Sequence, residues 1–351
     1  MRNLCDKPLR GIQLTPQTST ESGNQDQAKD QTIDQTQVQA QDQVQAPEQI
    51  QDKPKKTKPN KFHWKEIIKA VVQLYVLYVA LGLLLLLVFK DLAVLHPIYD
   101  VSWKPQLSKL DQLFKTKSKE LKIPLPNLNE GKNLEKPETL AALLVEKPSE
   151  KVILVSHGNA GNIGHRVGLA SLLVNSGASV FLYDYQGFGE SGGSATCANT
   201  LSDGLLAYDY VVNTLHYKPE NVIVYGESVG CGVTTNIMKN RKVGKVILQS
   251  GFPSLLQAAR DKLFFLWVLP PSIAPEPNFD NLSAVQEAHP PILFMHGDKD
   301  TILPFSYCET MYSKALPPKQ MYTCHGEGHN DIGLIDTAGY MGAVKQFVNQ
   351  P

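Results

Sequence analysis

Twenty consecutive residues, Ala70 to Phe89, read AVVQLYVLYVALGLLLLLVF, and Gln73 is their single strongly polar side chain. As a helix rising about 1.5 Å per residue, this run covers about 30 Å, the thickness of a bilayer core. A core helix is apolar on one stripe rather than all round. A cleaved signal peptide has a shorter apolar region, roughly 7–15 residues, followed by a small-residue cleavage site. A membrane span within residues 67–90 fits better than either alternative. Phe62 and Trp64 stand just before it, where aromatic rings favour a membrane interface. Lys53, Lys55, Lys56, Lys58, Lys61, Lys65 and Lys69 precede the run, while only Lys90 and Asp91 follow at once. The positive-inside rule then places the N-terminus in the cytoplasm and residues 90–351 on the non-cytoplasmic side, whether periplasm, lumen or exterior.

The residues before the span cannot build a core. Within residues 1–60, the stretch 25–60 is dense in Gln, Asp, Lys and Pro, with almost no large apolar side chains. Burial cannot offset the entropy of ordering them, so a disordered tail is expected. The whole chain balances 34 basic against 34 acidic residues. That leaves no global signature of nucleic-acid binding, and no nucleic-acid partner is expected. Five cysteines occur without a CxxC pair or a Cys/His cluster at zinc spacing, so no structural metal is expected. Cys197, Cys231, Cys308 and Cys324 follow the span and are either buried thiols or partners in one or two disulfides. A non-cytoplasmic compartment permits the latter.

Residues 91–138 read as a linker and lead-in helix. Leu107, Leu110, Leu113, Phe114 and Leu121 recur at helical spacing over 100–125, before Pro124 and Pro126 change the pattern. From about residue 139 strands and helices alternate. Strands are expected at 140–145, 152–156, 180–185, 222–225, 246–249, 292–296 and 320–324. Helices are expected at 167–175, 201–215, 229–239 and 340–349. The run VILVS at 152–156 is apolar on both faces, as in a parallel sheet covered on both sides. This order predicts an α/β domain over 139–351, with a mostly parallel central sheet and helices on both faces.

Four stretches at strand ends carry chemistry. NVIVYGESVG (221–230) runs from a β-branched strand through Gly226-Glu227-Ser228-Val229-Gly230 into a helix-compatible segment. A serine on so tight a strand-to-helix turn has a strained backbone, and the flanking glycines avoid clashes. The turn lifts the hydroxyl above the sheet at a helix N-terminus, where developing negative charge is favoured. Gly189-Glu190-Ser191-Gly192-Gly193 matches the same pattern but sits in a glycine-rich loop with no strand before it. Ser228 is therefore the expected nucleophile. SHGNAGN (156–162) follows VILVS and can offer backbone N–H groups to a carbonyl oxygen. The expected oxyanion donors are the N–H of Val229 and one from this loop, Asn159 first and Ala160 next. His157 reads as a loop brace. ILFMHGDKDTILP (292–304) offers Asp300, with Asp298 as competitor, and CHGEGHN (324–330) offers His329, with His325 as alternative.

HGNAGN, YDYQGFGESGG, GESVG, HGDKD and GEGHN, spread over roughly 139–350, resemble the α/β-hydrolase superfamily. The resemblance is closest to its compact, membrane-anchored branch, related to monoglyceride lipases and serine-aminopeptidase-like hydrolases. It implies an α/β-hydrolase fold with the chain order Ser228, Asp300, His329. It also implies that the aspartate matching HGxxD, Asp300 rather than Asp298, is the triad acid, and that Asp184 and Tyr185 are structural.

The expected chemistry is acyl transfer through Ser228, with His329 as base, Asp300 orienting the imidazole, and no cofactor or metal. The insert at 251–290 holds DKLFFLWVLPPSIAPEP, read either as a buried core helix or as a small cap that lines an acyl pocket or dips into the membrane. The expected partners are a small-molecule acyl ester or lipid and, through residues 70–89, a membrane. An aminopeptidase and a catalytically inactive binding module are the alternatives.

Overall fold

The computed structural model describes residues 63–99, 106–126, 138–268, 270, 272 and 276–351; the tail expected over 1–60 lies outside them. Its strands are β1 (His96–Pro97), β2 (Lys117–Pro124), β3 (Thr139–Glu146), β4 (Val152–Ser156), β5 (Ala160–Gly161), β6 (Ser179–Tyr183), β7 (Val222–Glu227), β8 (Lys245–Gln249), β9 (Ile292–Gly297) and β10 (Lys319–Cys324). Eight of them form one sheet in the order β10-β9-β8-β7-β4-β6-β3-β2, while β1 and β5 pair separately. β2–β3 and β3–β6 are antiparallel, and every other neighbouring pair in the large sheet is parallel.

The central strands β4 and β6 are buried at every position, which explains why they read as unbroken apolar runs. Alternate residues serve opposite faces. Leu154, Val224, Leu248 and Phe294 face a core completed by Ala207, Tyr208 and Val211 of the helix Cys197–Asn213 and Val233 and Ile237 of the helix Gly230–Asn240. Ile153, Val155, Tyr225 and Met295 face a second core with Leu107 and Leu110 of the helix Gln106–Phe114, Ala170 and Leu173 of the helix Val167–Leu173, and Val344 and Phe347 of the helix Thr337–Asn349. The helices are α1 (Trp64–Val94), α2 (Gln106–Phe114), α3 (Val167–Leu173), α4 (Cys197–Asn213), α5 (Gly230–Asn240), α6 (Leu255–Lys262), α7 (Asn281–Gln286), α8 (Phe305–Lys314) and α9 (Thr337–Asn349).

The lead-in differs from the expectation of one helix over 100–125. Helical spacing holds for Leu107 and Leu110 in α2, but Lys117 to Pro124 form β2, antiparallel to β3 with Lys117 opposite Glu146. An edge strand needs few apolar positions: Ile123 is buried while most of its neighbours remain accessible. The sheet therefore begins at 117 rather than at 139.

α1 contains the apolar run and extends beyond it at both ends. Its segment Trp64–Leu85 is long and apolar enough to cross a membrane and, among the described residues, is not buried as a core helix would be. The insert is not a buried core helix either. Phe264–Val268 make a short 3-10 turn in which Leu266 is buried, whereas Trp267 and Val268 are exposed. Cys197, Cys231, Cys308 and Cys324 are buried free thiols.

Candidate active site

Ser228 sits in the turn between β7 and α5 with φ of 55°, the left-handed region that an L-residue enters only under constraint. A Cβ at Gly226 would come within 2.6 Å of the Gly230 carbonyl oxygen, and one at Gly230 within 2.0 Å of the Ser156 carbonyl oxygen. The spacing of the two glycines thus lets the turn press against β4. The Ser228 N–H donates to the Gln249 carbonyl at 2.9 Å, fixing the turn to β8.

Asp300 lies beyond the end of β9 and His329 beyond the end of β10. His329 Nε2 is 3.1 Å from Ser228 Oγ, and His329 Nδ1 is 2.7 Å from Asp300 Oδ2. These distances suit hydrogen bonding along one line from hydroxyl to carboxylate. Asp300 Oδ1 accepts the backbone N–H groups of Ile302 and Leu303, both at 2.8 Å. Burial acts to raise the Asp300 carboxyl. Hydrogen bonds from His296 and His329, the charge of His329 and the Leu303 N–H outweigh it and hold the group well below the usual carboxylate range.

The competitors occupy other places. Asp298 pairs with His325, Oδ2 to Nδ1 at 3.1 Å, at the surface and apart from Ser228. Ser191 is buried: its Oγ accepts the Ala141 N–H at 2.9 Å and donates to the Asp184 carbonyl at 2.9 Å. His157 packs on Tyr185 with ring centroids 4.3 Å apart, and the Tyr185 hydroxyl donates to its carbonyl at 2.8 Å. Burial pushes the His157 imidazole down to about 3, so it braces the loop and is far too weak a base for proton transfer near neutrality. Among the described residues, neither the Asn159 nor the Val229 backbone N–H has a backbone acceptor.

Three residues support the site without having been singled out in the sequence. His296 Nε2 lies 3.1 Å from Asp300 Oδ2 and 2.9 Å from the Leu303 carbonyl. Buried Glu327 accepts the backbone N–H groups of Gly333, Ile335 and Asp336 at 2.7, 2.8 and 3.1 Å, folding the loop that holds His329. Arg166 donates from Nε and Nη2 to the two Glu227 oxygens at 3.0 and 3.1 Å, and from Nη1 to the Ala160 carbonyl at 2.6 Å. HGxxD and GEGHN contain the first two residues, but nothing local in the sequence links Arg166 to Glu227.

Comparison with known proteins bears on this arrangement. Residues 147–271 match a family model described as serine aminopeptidase, S33. The chain is 28% identical over 202 residues to an uncharacterized protein of Mycobacterium tuberculosis, covering 58% of this chain and 71% of that one. It is 30% identical over 211 residues to alpha/beta hydrolase domain-containing protein 17B of Xenopus laevis, covering 58% and 68% respectively. Among solved structures, an esterase of Pyrococcus furiosus superposes with a TM-score of 0.57 at 16% identity, over 73% of this chain and 97% of that one.

Proposed function

We propose that this chain, a hydrolase that belongs to the α/β-hydrolase superfamily, is a membrane-anchored serine hydrolase that cleaves an acyl ester or thioester through an acyl-enzyme. What carries the reading is the line of contacts Ser228 Oγ, His329, Asp300 at 3.1 and 2.7 Å. His329 Nε2 takes the hydroxyl proton as Oγ attacks the substrate carbonyl carbon. The Asn159 and Val229 N–H groups hold the resulting oxyanion. His329 then passes its proton to the leaving group, and the same base activates a water that releases the acid. Asp300 keeps the Nδ1 proton in place and stabilises the imidazolium.

The insert supports a lipid-like acyl group. Trp267 and Val268 expose apolar surface beside α1, where the Tyr75 hydroxyl donates to the Val268 carbonyl at 3.0 Å and Lys90 Nζ to the Glu276 carbonyl at 2.6 Å. On its other side the insert meets the loop after Asp300, since Lys262 Nζ donates to the Thr301 carbonyl at 3.1 Å. A strip from the anchor to the triad acid thus offers apolar contact to a substrate arriving from a bilayer.

The deciding experiment is fluorophosphonate labelling of the full chain in detergent. Wild type should label and Ser228→Ala should not; an unlabelled wild type overturns the reading. Initial rates on p-nitrophenyl acyl esters of increasing length, against aminoacyl anilides, separate ester from peptide-type hydrolysis. For orientation, Lys345→Cys in a Cys5→Ser background should react with a membrane-impermeant maleimide in intact cells. Reaction only after permeabilisation overturns the placement outside the cytoplasm.

A further inference from the structure

The residues that follow the apolar helix reach the loop that carries Asn159. One turn before the end of α1, Asp91 Oδ1 accepts the Cys197 N–H at the start of α4, at 2.8 Å. Leu95 is buried, and Pro97 forces His96 into an extended conformation. The chain therefore leaves the helix as strand β1. It runs parallel to β5, with His96 opposite Ala160 and Pro97 opposite Gly161.

The bonds made there fall on the peptide groups next to Asn159. The His96 N–H donates to the Asn159 carbonyl at 2.7 Å, and the Ile98 N–H to the Gly161 carbonyl at 3.3 Å. Between them, the Ala160 carbonyl accepts from Arg166 Nη1 at 2.6 Å. Three successive carbonyls are thus each held by a donor from outside the loop. The Ile98 carbonyl accepts in turn from the Asn162 side-chain amide at 3.0 Å and the Gly189 N–H at 3.2 Å. The Gly158 carbonyl, in the peptide group that carries the Asn159 N–H, accepts from His157 Nδ1 at 2.7 Å. The external bonds hold the three peptide groups that follow it.

We propose that the juxtamembrane strand His96–Ile98 is a positioning element of the acyl-transfer site. It holds the backbone on the C-terminal side of Asn159, with His157 holding the other side, so that the Asn159 N–H faces the oxyanion, and it makes turnover depend on how the anchor helix is seated. The inference rests on the serine-hydrolase reading above. A strand that merely fastened the helix to the domain would change stability on disruption but leave the rate constants of the folded protein alone.

His96→Pro in the full chain removes the donor to Asn159, and the extended Leu95 (φ −111°, ψ 129°) accommodates a following proline. The readouts are the rate of fluorophosphonate labelling, kcat and KM on an acyl ester, and thermal unfolding. His96→Pro should label and turn over about 10–100-fold more slowly, with KM little changed, because small displacements of an oxyanion donor cost rates of that order. His96→Ala keeps the N–H and should match wild type. Wild-type kcat in a folded His96→Pro variant overturns the proposal. Hydrogen exchange on the unaltered chain tests it without a variant. The His96 and Ile98 amides should exchange slowly, and slow further together with residues 159–161 once Ser228 carries the phosphonate; exchange at open-chain rates overturns it. A wild type that never labels removes the hydrolase reading and this inference together, whereas a labelling wild type matched by His96→Pro removes only the inference.

Discussion

His296 brings its Nε2 to 3.1 Å from Asp300 Oδ2, the same oxygen that His329 Nδ1 approaches at 2.7 Å. Both side chains of the His296–Asp300 pair are fully shielded from solvent. Nε2 faces two acceptors, Asp300 and the Leu303 carbonyl, while Nδ1 is buried without a partner among the described residues, so the ring proton belongs on Nε2. Asp300 Oδ2 thus has a second donor besides His329.

That contact has a pH signature. A carboxyl whose folded pKa is depressed contributes stability that is present above its ordinary value, about 4, and is lost as pH falls through the lowered one. The His296 hydrogen bond is the strongest of the influences holding Asp300 down against burial. His296→Phe should therefore move acid unfolding to higher pH and cost about 1–3 kcal/mol near neutrality, the penalty for a buried group losing a partner. Urea midpoints of wild type and variant should differ at pH 6 and converge as pH falls below the ordinary carboxylate range. A constant gap would assign His296 a packing role alone.

Asp300→Asn should keep the fold and lower kcat/KM by about 10³–10⁴-fold, because the amide can hold the imidazole in the wrong tautomer. Asp298→Asn, which alters a surface carboxylate bonded to His325 and to the Gly326 N–H, should stay within a few-fold of wild type. Equal losses in the two variants would remove the distinction between the aspartates.

Ser191→Ala separates the two GxSxG matches. Ser191 joins the Ala141 N–H to the Asp184 carbonyl in a buried position. Its loss should lower the melting temperature through about 1–3 kcal/mol of orphaned polar groups and leave phosphonate labelling intact at temperatures where the variant is folded. Loss of labelling in a folded Ser191→Ala protein would implicate the wrong serine.

Arg166 and Glu227 are 61 residues apart in sequence yet form a two-bonded ion pair that also takes in the Ala160 carbonyl. Arg166→Leu and Glu227→Leu should each reduce kcat by about tenfold, and the double variant should be no worse than the weaker single, a coupling of order 1 kcal/mol. Strict additivity in the cycle would show that the residues act separately.

The parallel strands were legible because burial on both faces leaves an unbroken apolar string, as in VILVS, and the strained turn around Ser228 announces itself by glycines where side chains would collide. β2 was hidden by its place at the sheet edge: KSKELKIP carries lysines toward water, and Leu107 and Leu110 of the helix before it extended the helical pattern across the boundary. α8 escaped because Phe305, Tyr307, Cys308 and Met311 come without a marked polar boundary. Arg166 and Glu227 are paired only by the fold. His296 ends a strand, where a buried polar residue looks like a terminus until the sheet brings its carboxylate partner alongside.

The bond from Asp91 to the Cys197 N–H lies only two positions beyond Phe89, the last residue of the apolar run. With residues 70–89 in the hydrocarbon, the bulk of the globular part would stand at the headgroups with no flexible leash beneath it, while the insert, bonded to Tyr75 through the Val268 carbonyl, would dip into the apolar layer. Such an enzyme would work like a height gauge. It would favour bonds that a substrate presents at one fixed level relative to the lipid, and a soluble ester and a bilayer-borne one of identical chemistry would differ in turnover for that reason.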